Sequence, residues 1–309
     1  MNTQEIKSNP IVFCFGEVLW DIFPSGAKAG GAPFNVAYNL RKLGVDSRAI
    51  SRVGTDELGV SLQNLVKGWG FPDAYIQKDA NNPTGTVQAT FDDQNEAHYD
   101  IVYPVAYDFI ECSKELLDEV RSADAFVFGS LIARGPKSRQ TLLSLLEVAQ
   151  LKIFDVNLRE PYCDFEIIQT LMHQSDIVKM NKAEMIRLLE FLHVPFTNEH
   201  DAVRWIQEHF QLKEVLISKG SKGALYFNEQ NDYFTPAFPI EVADTVGSGD
   251  AFLAGFISKR IQNALPEPMM QTAVGLGAFI TAQNGACPSY QKSDFEAFLA
   301  SQKAVDTLM

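Results

Sequence analysis

The sequence predicts an α/β fold: a mostly parallel central sheet with helices on both faces, a three-layer α/β/α sandwich, plus a small β-sheet element outside it. Three observations predict this. Short apolar runs alternate with helical patterns along most of the chain, the mark of a parallel sheet covered on both sides. One region breaks that rhythm with two strand-like runs joined by a polar loop, which reads as a hairpin and not a βαβ unit. The 309 residues hold no linker, repeat or low-complexity segment, so 1–309 reads as a single domain.

Taken in order, residues 11–16 form an apolar run with strand character, followed by a non-helical segment rich in Gly, Ala and Pro at 21–33. Residues 35–43 place Val36, Leu40 and Leu43 on one helical face. A strand at 48–53 and a helix at 58–69 follow. The hairpin runs are 84–91 and 97–103, joined by Asp92-Asp93-Gln94-Asn95. Further strands are expected at 125–129, 152–156, 177–180 and 214–218, with helices near 137–149, 165–174, 182–192 and 198–209 between them. Two long helical patterns, 250–263 and 267–283, close the series.

Composition narrows the function. The formal net charge is -13 and no Lys/Arg-rich run is present, which argues against nucleic acid and anionic membrane surfaces as partners. Cys14, Cys112, Cys163 and Cys287 show no CxxC spacing, and the five histidines show no zinc-binding spacing. Residues 1–10 are polar and read as no signal peptide. No apolar stretch approaches the roughly 20 residues that span a bilayer. The expectation is a soluble cytoplasmic protein.

The strongest local pattern is Asp244-Thr245-Val246-Gly247-Ser248-Gly249-Asp250-Ala251-Phe252, between a β-like stretch and an apolar helical pattern. Glycines at 247 and 249 permit close backbone approach, and the 247–250 amides would open a helix N-terminus that favours an anion. A carboxylate beside an anion site makes chemical sense if it takes a proton from a hydroxyl attacking a phosphoryl group. Gly-Ser-Gly-Asp is also good capping chemistry. Upstream, Ala29-Gly30-Gly31-Ala32-Pro33-Phe34-Asn35 combines tight turns with an amide suited to a polyol, and Asp21 follows the end of the first strand, where open parallel sheets bind ligands. Asn35 reads equally as a helix cap and Asp21 as a solvated acid. Asp155-Val156-Asn157-Leu158-Arg159 and Asn181-Lys182-Ala183-Glu184 put polar groups after strands; the second reads either as a Mg²⁺-phosphate site or as a capping box. Ser218-Lys219-Gly220-Ser221-Lys222-Gly223 is a polar turn that would wrap a nucleotide or only join a hairpin. The Walker A pattern is absent, and Gly275-Leu276-Gly277 lacks the third glycine of a dinucleotide fingerprint.

In their order along the chain, Gly30-Gly31 with Asn35, Asn181-x-x-Glu184 and residues 244–252 resemble the motifs of the ribokinase-like (PfkB) carbohydrate kinases. The resemblance implies an ATP- and Mg²⁺-dependent sugar kinase. It implies Asp250 as catalytic base, with Gly247, Ser248, Gly249 and the Asp250 amide as the anion hole. Asp21, Gly31 and Asn35 would hold sugar hydroxyls, with Asn157 and Arg159 beside them. Asn181 and Glu184 would organise Mg²⁺, waters and phosphates, Glu184 acting through water. Ser218 and Gly220 would border the nucleotide, with Asn284 near the purine. Many relatives bind a monovalent cation such as K⁺; by position its ligands would be Asp244, the carbonyls of Val246, Ile280, Gln283 and Gly285, and Ser289. Cys287 departs from the pattern there. The β element (about 18–34 and 84–104) becomes a lid, which in relatives often mediates a homodimer; an exposed face with Tyr99, Ile101 and Tyr103 would suit that. Gly16-Glu17-x-Leu19-x-Asp21-x-x-Pro24 and Tyr103-Pro104-Val105-Ala106-Tyr107-Asp108-Phe109 look most like the bacterial fructokinases. No Lys occupies the 30–33 turn, which favours an unphosphorylated sugar. Arg159 keeps a phosphorylated sugar in view, and also an acidic one such as 2-keto-3-deoxygluconate; ribose, tagatose or a nucleoside are the other acceptors. A silent binding protein would be expected to lose Gly247, Gly249 or Asp250, and all three are present.

Overall fold

A computed structural model describes residues 10–23, 26–91 and 97–306 of the chain; the hairpin loop 92–95, Pro24 and residues 1–9 fall outside these. The first strand shows how the layers arise. In β1 (Ile11–Phe15), Phe13 and Phe15 face one layer while Val12 and Cys14 face the other, and all four are buried. A strand covered on both faces reads as a continuous apolar run, as the sequence does here. β8 (Ala125–Gly129) repeats the division, with Phe126 and Phe128 on the first side and Ala125 and Val127 on the second.

Around these two lie β4 (Asp46–Gly54), β5 (Ile76–Asp79), β9 (Lys152–Asp155), β10 (Ile177–Asn181), β11 (Glu214–Ser218), β12 (Ala224–Phe227) and β13 (Asp232–Thr235). The nine-stranded order is β13-β12-β11-β10-β9-β8-β1-β4-β5; pairing is parallel from β11 to β5 and antiparallel in the β11-β12-β13 meander. Helices α3 (Lys114–Ser122), α4 (Pro136–Leu146), α5 (Phe165–His173), α6 (Lys182–Phe191) and α7 (Glu199–Phe210) cover the first face. Helices α1 (Ala32–Lys42), α2 (Glu57–Gly68), α8 (Ser248–Arg260), α9 (Pro266–Thr281) and α10 (Lys292–Asp306) cover the second. Among the described residues no helix is long and apolar enough to cross a membrane.

The element outside this sandwich is a four-stranded sheet in the order β3-β2-β6-β7, built from β2 (Leu19–Phe23), β3 (Gly26–Gly30), β6 (Thr86–Phe91) and β7 (Ala97–Ile101). Its two hairpins join through a parallel pairing that sets Trp20 opposite Thr86. Val87 and Ile101, directly opposed in β6 and β7, are both buried.

Four expectations need correction. Residues 32 and 33 belong to α1, because Gly31 caps it at φ 116 and Pro33 pre-sets its first turn. Asn35 therefore lies one turn inside the helix and is not its cap. No strand precedes Asp244; the segment after β13 is irregular, and the amides of 243 and 244 both donate to the Thr281 carbonyl, at 2.9 and 3.2 Å. Ile101 does not join an exposed lid face, since its position in β7 turns it inward; Tyr103, beyond the strand, is half-exposed, and the Tyr99 side chain is outside the description. Finally β5, α3 and α10 were not anticipated. β5 and α3 alternate charge with few apolar positions, and only Val120 of α3 is buried.

Candidate active site

The C-terminal ends of β1, β9, β10 and β11 open into a cavity of about 1040 Å³. That is where an open parallel sheet offers its loops and helix N-termini to a ligand. Leu19, Phe23, Val87 and Ile101 of the small sheet form an apolar wall of the same cavity, so this sheet sits over the site as a lid would.

Gly247 caps α8 in the left-handed conformation at φ 77, and a Cβ there would stand 2.5 Å from that of Ala286. The capping turn leaves the Gly249 and Asp250 amides in the first helical turn, without an intrahelical acceptor. The Ser248 amide is partly engaged, donating to the Thr245 carbonyl at 3.3 Å, and Ser248 is not among the cavity's lining residues. Asp250 lines the cavity and is only 8% exposed. Its Oδ2 accepts from Asn35 Nδ2 at 2.8 Å. Asn35 Oδ1 lies 3.3 Å from the Cys287 Sγ, and burial pushes that thiol up so that it stays protonated and can donate. The pair of bonds orients the amide with its NH₂ toward Asp250. Cys287, uninterpretable in the sequence, thus fixes the residue that fixes Asp250. Its loop is anchored on α1, where Tyr38 donates to the Pro288 carbonyl and Tyr290 donates to Asn39.

The electrostatics of the cavity are dominated by buried carboxyls. Burial raises Asp250 to about 6, helped by the negative charge of Asp155 and opposed by Lys179, Asn35 and Arg159. Burial likewise raises Asp21 to about 6 and Glu17 to about 7. Arg159 opposes the shift in all three; it is exposed at the cavity wall, with Asn157 beside it at φ 39. Gly31 lines the same wall, its missing Cβ leaving room for the Glu17 carbonyl.

Two residues escaped the sequence reading. Lys179 sits in the apolar strand β10, only 5% exposed, with Nζ 2.9 and 3.1 Å from the two oxygens of buried Asp155. The same ammonium lies 3.0 Å from where a Gly249 Cβ would be, beside the free amides of α8. The signal was available: a lysine inside Ile-Val-Lys-Met-Asn is out of place in a strand covered on both faces unless it is paired or used. Glu17 is the other; the sequence offers it only as part of the motif from Gly16 to Pro24.

Asn181 and Glu184 form the capping box in full. Asn181 Oδ1 accepts from the Glu184 amide at 2.9 Å, and Glu184 Oε2 accepts from the Asn181 amide at 2.7 Å. Glu184 Oε1 accepts from the Leu158 amide at 3.1 Å, which ties the β9 and β10 loops together. Both residues also line the cavity, so the capping and ligand-facing readings coexist. Ser218 and Gly220 line it beyond β11, together with Lys182, Lys219 and Lys222. Among the described residues no group of three or more His, Cys, Asp or Glu could hold a metal alone.

The residues expected around a monovalent cation converge only through their loops. Asp244 accepts from the Val246 and Gly285 amides, both at 3.0 Å, and meets Lys28 Nζ at 3.5 Å. The Ile280 carbonyl accepts from the Gln283 amide at 2.9 Å. Val246 alone of the set lines the cavity; Ser289 and Asn284 are exposed and do not.

The chain matches the family described as pfkB family carbohydrate kinase over residues 25–293. It is 28% identical over 328 aligned positions to a probable fructokinase-3 of Arabidopsis thaliana, covering 96% of this chain and 93% of that one. The fold superposes with a TM-score of 0.85 on a fructokinase with bound ATP from Xylella fastidiosa, at 21% identity over 95% of this chain and 99% of the other. A fructokinase from Vibrio cholerae with fructose, ADP and calcium bound gives 0.80 at 23% identity, covering 95% and 100%.

Proposed function

The chain belongs to the pfkB family of carbohydrate kinases, and from that premise we propose that it transfers the γ-phosphoryl group of ATP to the 6-hydroxyl of D-fructose, with Asp250 as general base. The observation that carries this reading is a buried carboxylate, fixed by Asn35, in the first turn of α8 beside unpaired amides and under an apolar lid. Fructose as acceptor is supported by the fructokinase names of the relatives at 28% identity.

On this reading the Asp250 carboxylate takes the hydroxyl proton as attack proceeds in line. The Gly247, Gly249 and Asp250 amides, with the helix N-terminus behind them, meet the charge on the equatorial oxygens. Lys179 adds a buried positive charge at the same place. Asp21, Gly31, Asn35 and Asn157 face the sugar, and the lid excludes the water that would compete as acceptor. Ser218 and Gly220 border the nucleotide. Glu184 suits Mg²⁺ held through water: it is a cavity carboxylate whose oxygens are steadied by backbone amides, and a divalent ion there would neutralise phosphate charge with most ligands from phosphates and water. Asp244, Ser289 and the four carbonyls would offer K⁺ only oxygen ligands, but Lys28 already places a positive charge on Asp244, so a cation there would have to displace it. Residues 1–309 act as one domain, in the cytoplasm, where unpaired cysteines are at home. Pairing of two copies through the lid sheet, with half-exposed Tyr103 at its margin, belongs to the same reading.

An ADP-release assay with a panel of acceptors tests the substrate. Fructose is expected to give the highest kcat/KM; no turnover of fructose rejects that assignment. Arg159 at the cavity wall favours a sugar acid as the second reading, and 2-keto-3-deoxygluconate belongs in the panel.

The pH dependence follows from the sign of the shifts. Asp250 works unprotonated and is raised to about 6, so kcat/KM should fall as pH drops through about 6. Asp21 and Glu17 titrate nearby, which should make the fall steeper than one proton. A profile between pH 8 and about 5 checks this; activity that stays flat throughout is incompatible with a base of this kind.

A further inference from the structure

We infer that Glu17 reads the acceptor: its Oε2 accepts a hydrogen bond from a hydroxyl of the sugar other than the one phosphorylated, and so helps set which neutral sugar is taken. The inference rests on the sugar-kinase reading of the same cavity and extends it to a motif residue that has no role so far.

Glu17 is 4% exposed, yet it lines the cavity beside Asp21, Asn35 and Asp250. Its two oxygens are treated differently. Oε1 accepts from the Ala32 amide at 3.0 Å, the first amide of α1. That bond and the packing of Gly31 against the Glu17 carbonyl hold the side chain in one place. Oε2 is buried and has no partner. A buried carboxylate oxygen without a donor is costly, and folded proteins rarely leave one unless a ligand or water supplies the donor. The donor that a sugar brings is a hydroxyl.

The charge around the site restricts the ligand further. Glu17, Asp21 and Asp250 are three acids on one cavity, with Arg159 as the cation that all three feel. An acceptor carrying its own carboxylate or phosphate would meet three acids, whereas a neutral polyol meets three acceptors. Glu17's own carboxyl, raised by burial, also gains from a donor that stabilises its charged form. The competing explanation is a trapped water: the Tyr107 hydroxyl is likewise buried without a partner and feels the Glu17 charge.

The test compares wild type, Glu17→Gln and Tyr107→Phe in steady-state kinetics, ATP binding and thermal melting. Glu17→Gln keeps an acceptor for the Ala32 amide but puts an NH₂ where Oε2 was. It is expected to lose about 10- to 100-fold in kcat/KM for the sugar, mostly through KM, with ATP affinity and Tm near wild type. Tyr107→Phe is expected to leave the sugar KM unchanged. Against analogues of the accepted sugar that each lack one hydroxyl, wild type should discriminate strongly at one position and Glu17→Gln should not. The inference is overturned by an unchanged sugar KM in Glu17→Gln, by a drop in Tm with equal losses for every analogue, by Tyr107→Phe reproducing the defect, or by a wild type that prefers an anionic acceptor. If wild type takes a neutral sugar other than fructose, the fructose assignment falls, and the same comparison with that sugar still decides Glu17.

Discussion

Asp250→Asn is expected to lower kcat by about 10²- to 10⁴-fold while the protein folds and binds both substrates within a few-fold of wild type. The substituted amide has the shape of the carboxylate and still offers an oxygen to Asn35 Nδ2, so the bond at 2.8 Å survives. Stability should hold or rise, because the change removes a buried acid whose ionised form is disfavoured by burial and by Asp155. What is lost is the proton acceptor. The acid limb at about pH 6 should therefore lose the contribution of Asp250 in the residual activity, which separates loss of the base from general damage. Turnover near wild type, or residual activity with the full wild-type limb, would show that the acceptor hydroxyl is deprotonated by something else.

The parts of this molecule that were legible before its structure share a physical reason. The parallel strands are covered on both faces, so β8 appears as an uninterrupted apolar run and β11 as an apolar centre between Glu214 and Ser218, both with bounds that match the structure. Residues 244–252 were legible because glycine spacing, a carboxylate and a helical pattern coincide in one short segment. What stayed hidden depends on long-range contact. Asn35 was ambiguous between cap and ligand; the helix start at Ala32 removes the cap, and the bond to Asp250, 215 residues away, gives it a contact no local pattern could show. Cys287 gains meaning only from Asn35, 252 residues away. The edge strand β5 offers little apolar surface, and α3 is so short that Leu116, Leu117 and Val120 make up its whole apolar stripe. Lys179 was concealed by its neighbours, since a strand read for hydrophobicity tolerates one odd residue. The capping box at Asn181 shows the opposite hazard, because a motif explained by local structure can still face a ligand.

Lys179 carries the second large prediction, and it needs two variants because the residue has two duties. Lys179→Met should destabilise the fold by about 3–5 kcal/mol, since it strands the buried Asp155 carboxylate whose two oxygens now bind the ammonium. Loss of activity in that variant alone would say little. Lys179→Met combined with Asp155→Asn removes both charges of the pair, and should recover most of the lost Tm. Its activity should not recover: kcat is expected to remain about 10²- to 10³-fold down, with ATP affinity less affected, as for the loss of one charge-stabilising donor at a transition state. The double change also removes two opposing influences on Asp250, one raising and one lowering its pKa, so the acid limb should move little. Missing positive charge at the phosphoryl group, and not a mistuned base, would then account for the rate. A double variant that regains both Tm and kcat would reduce Lys179 to a structural partner of Asp155, and would leave the amides of α8 to stabilise the transferring group without it.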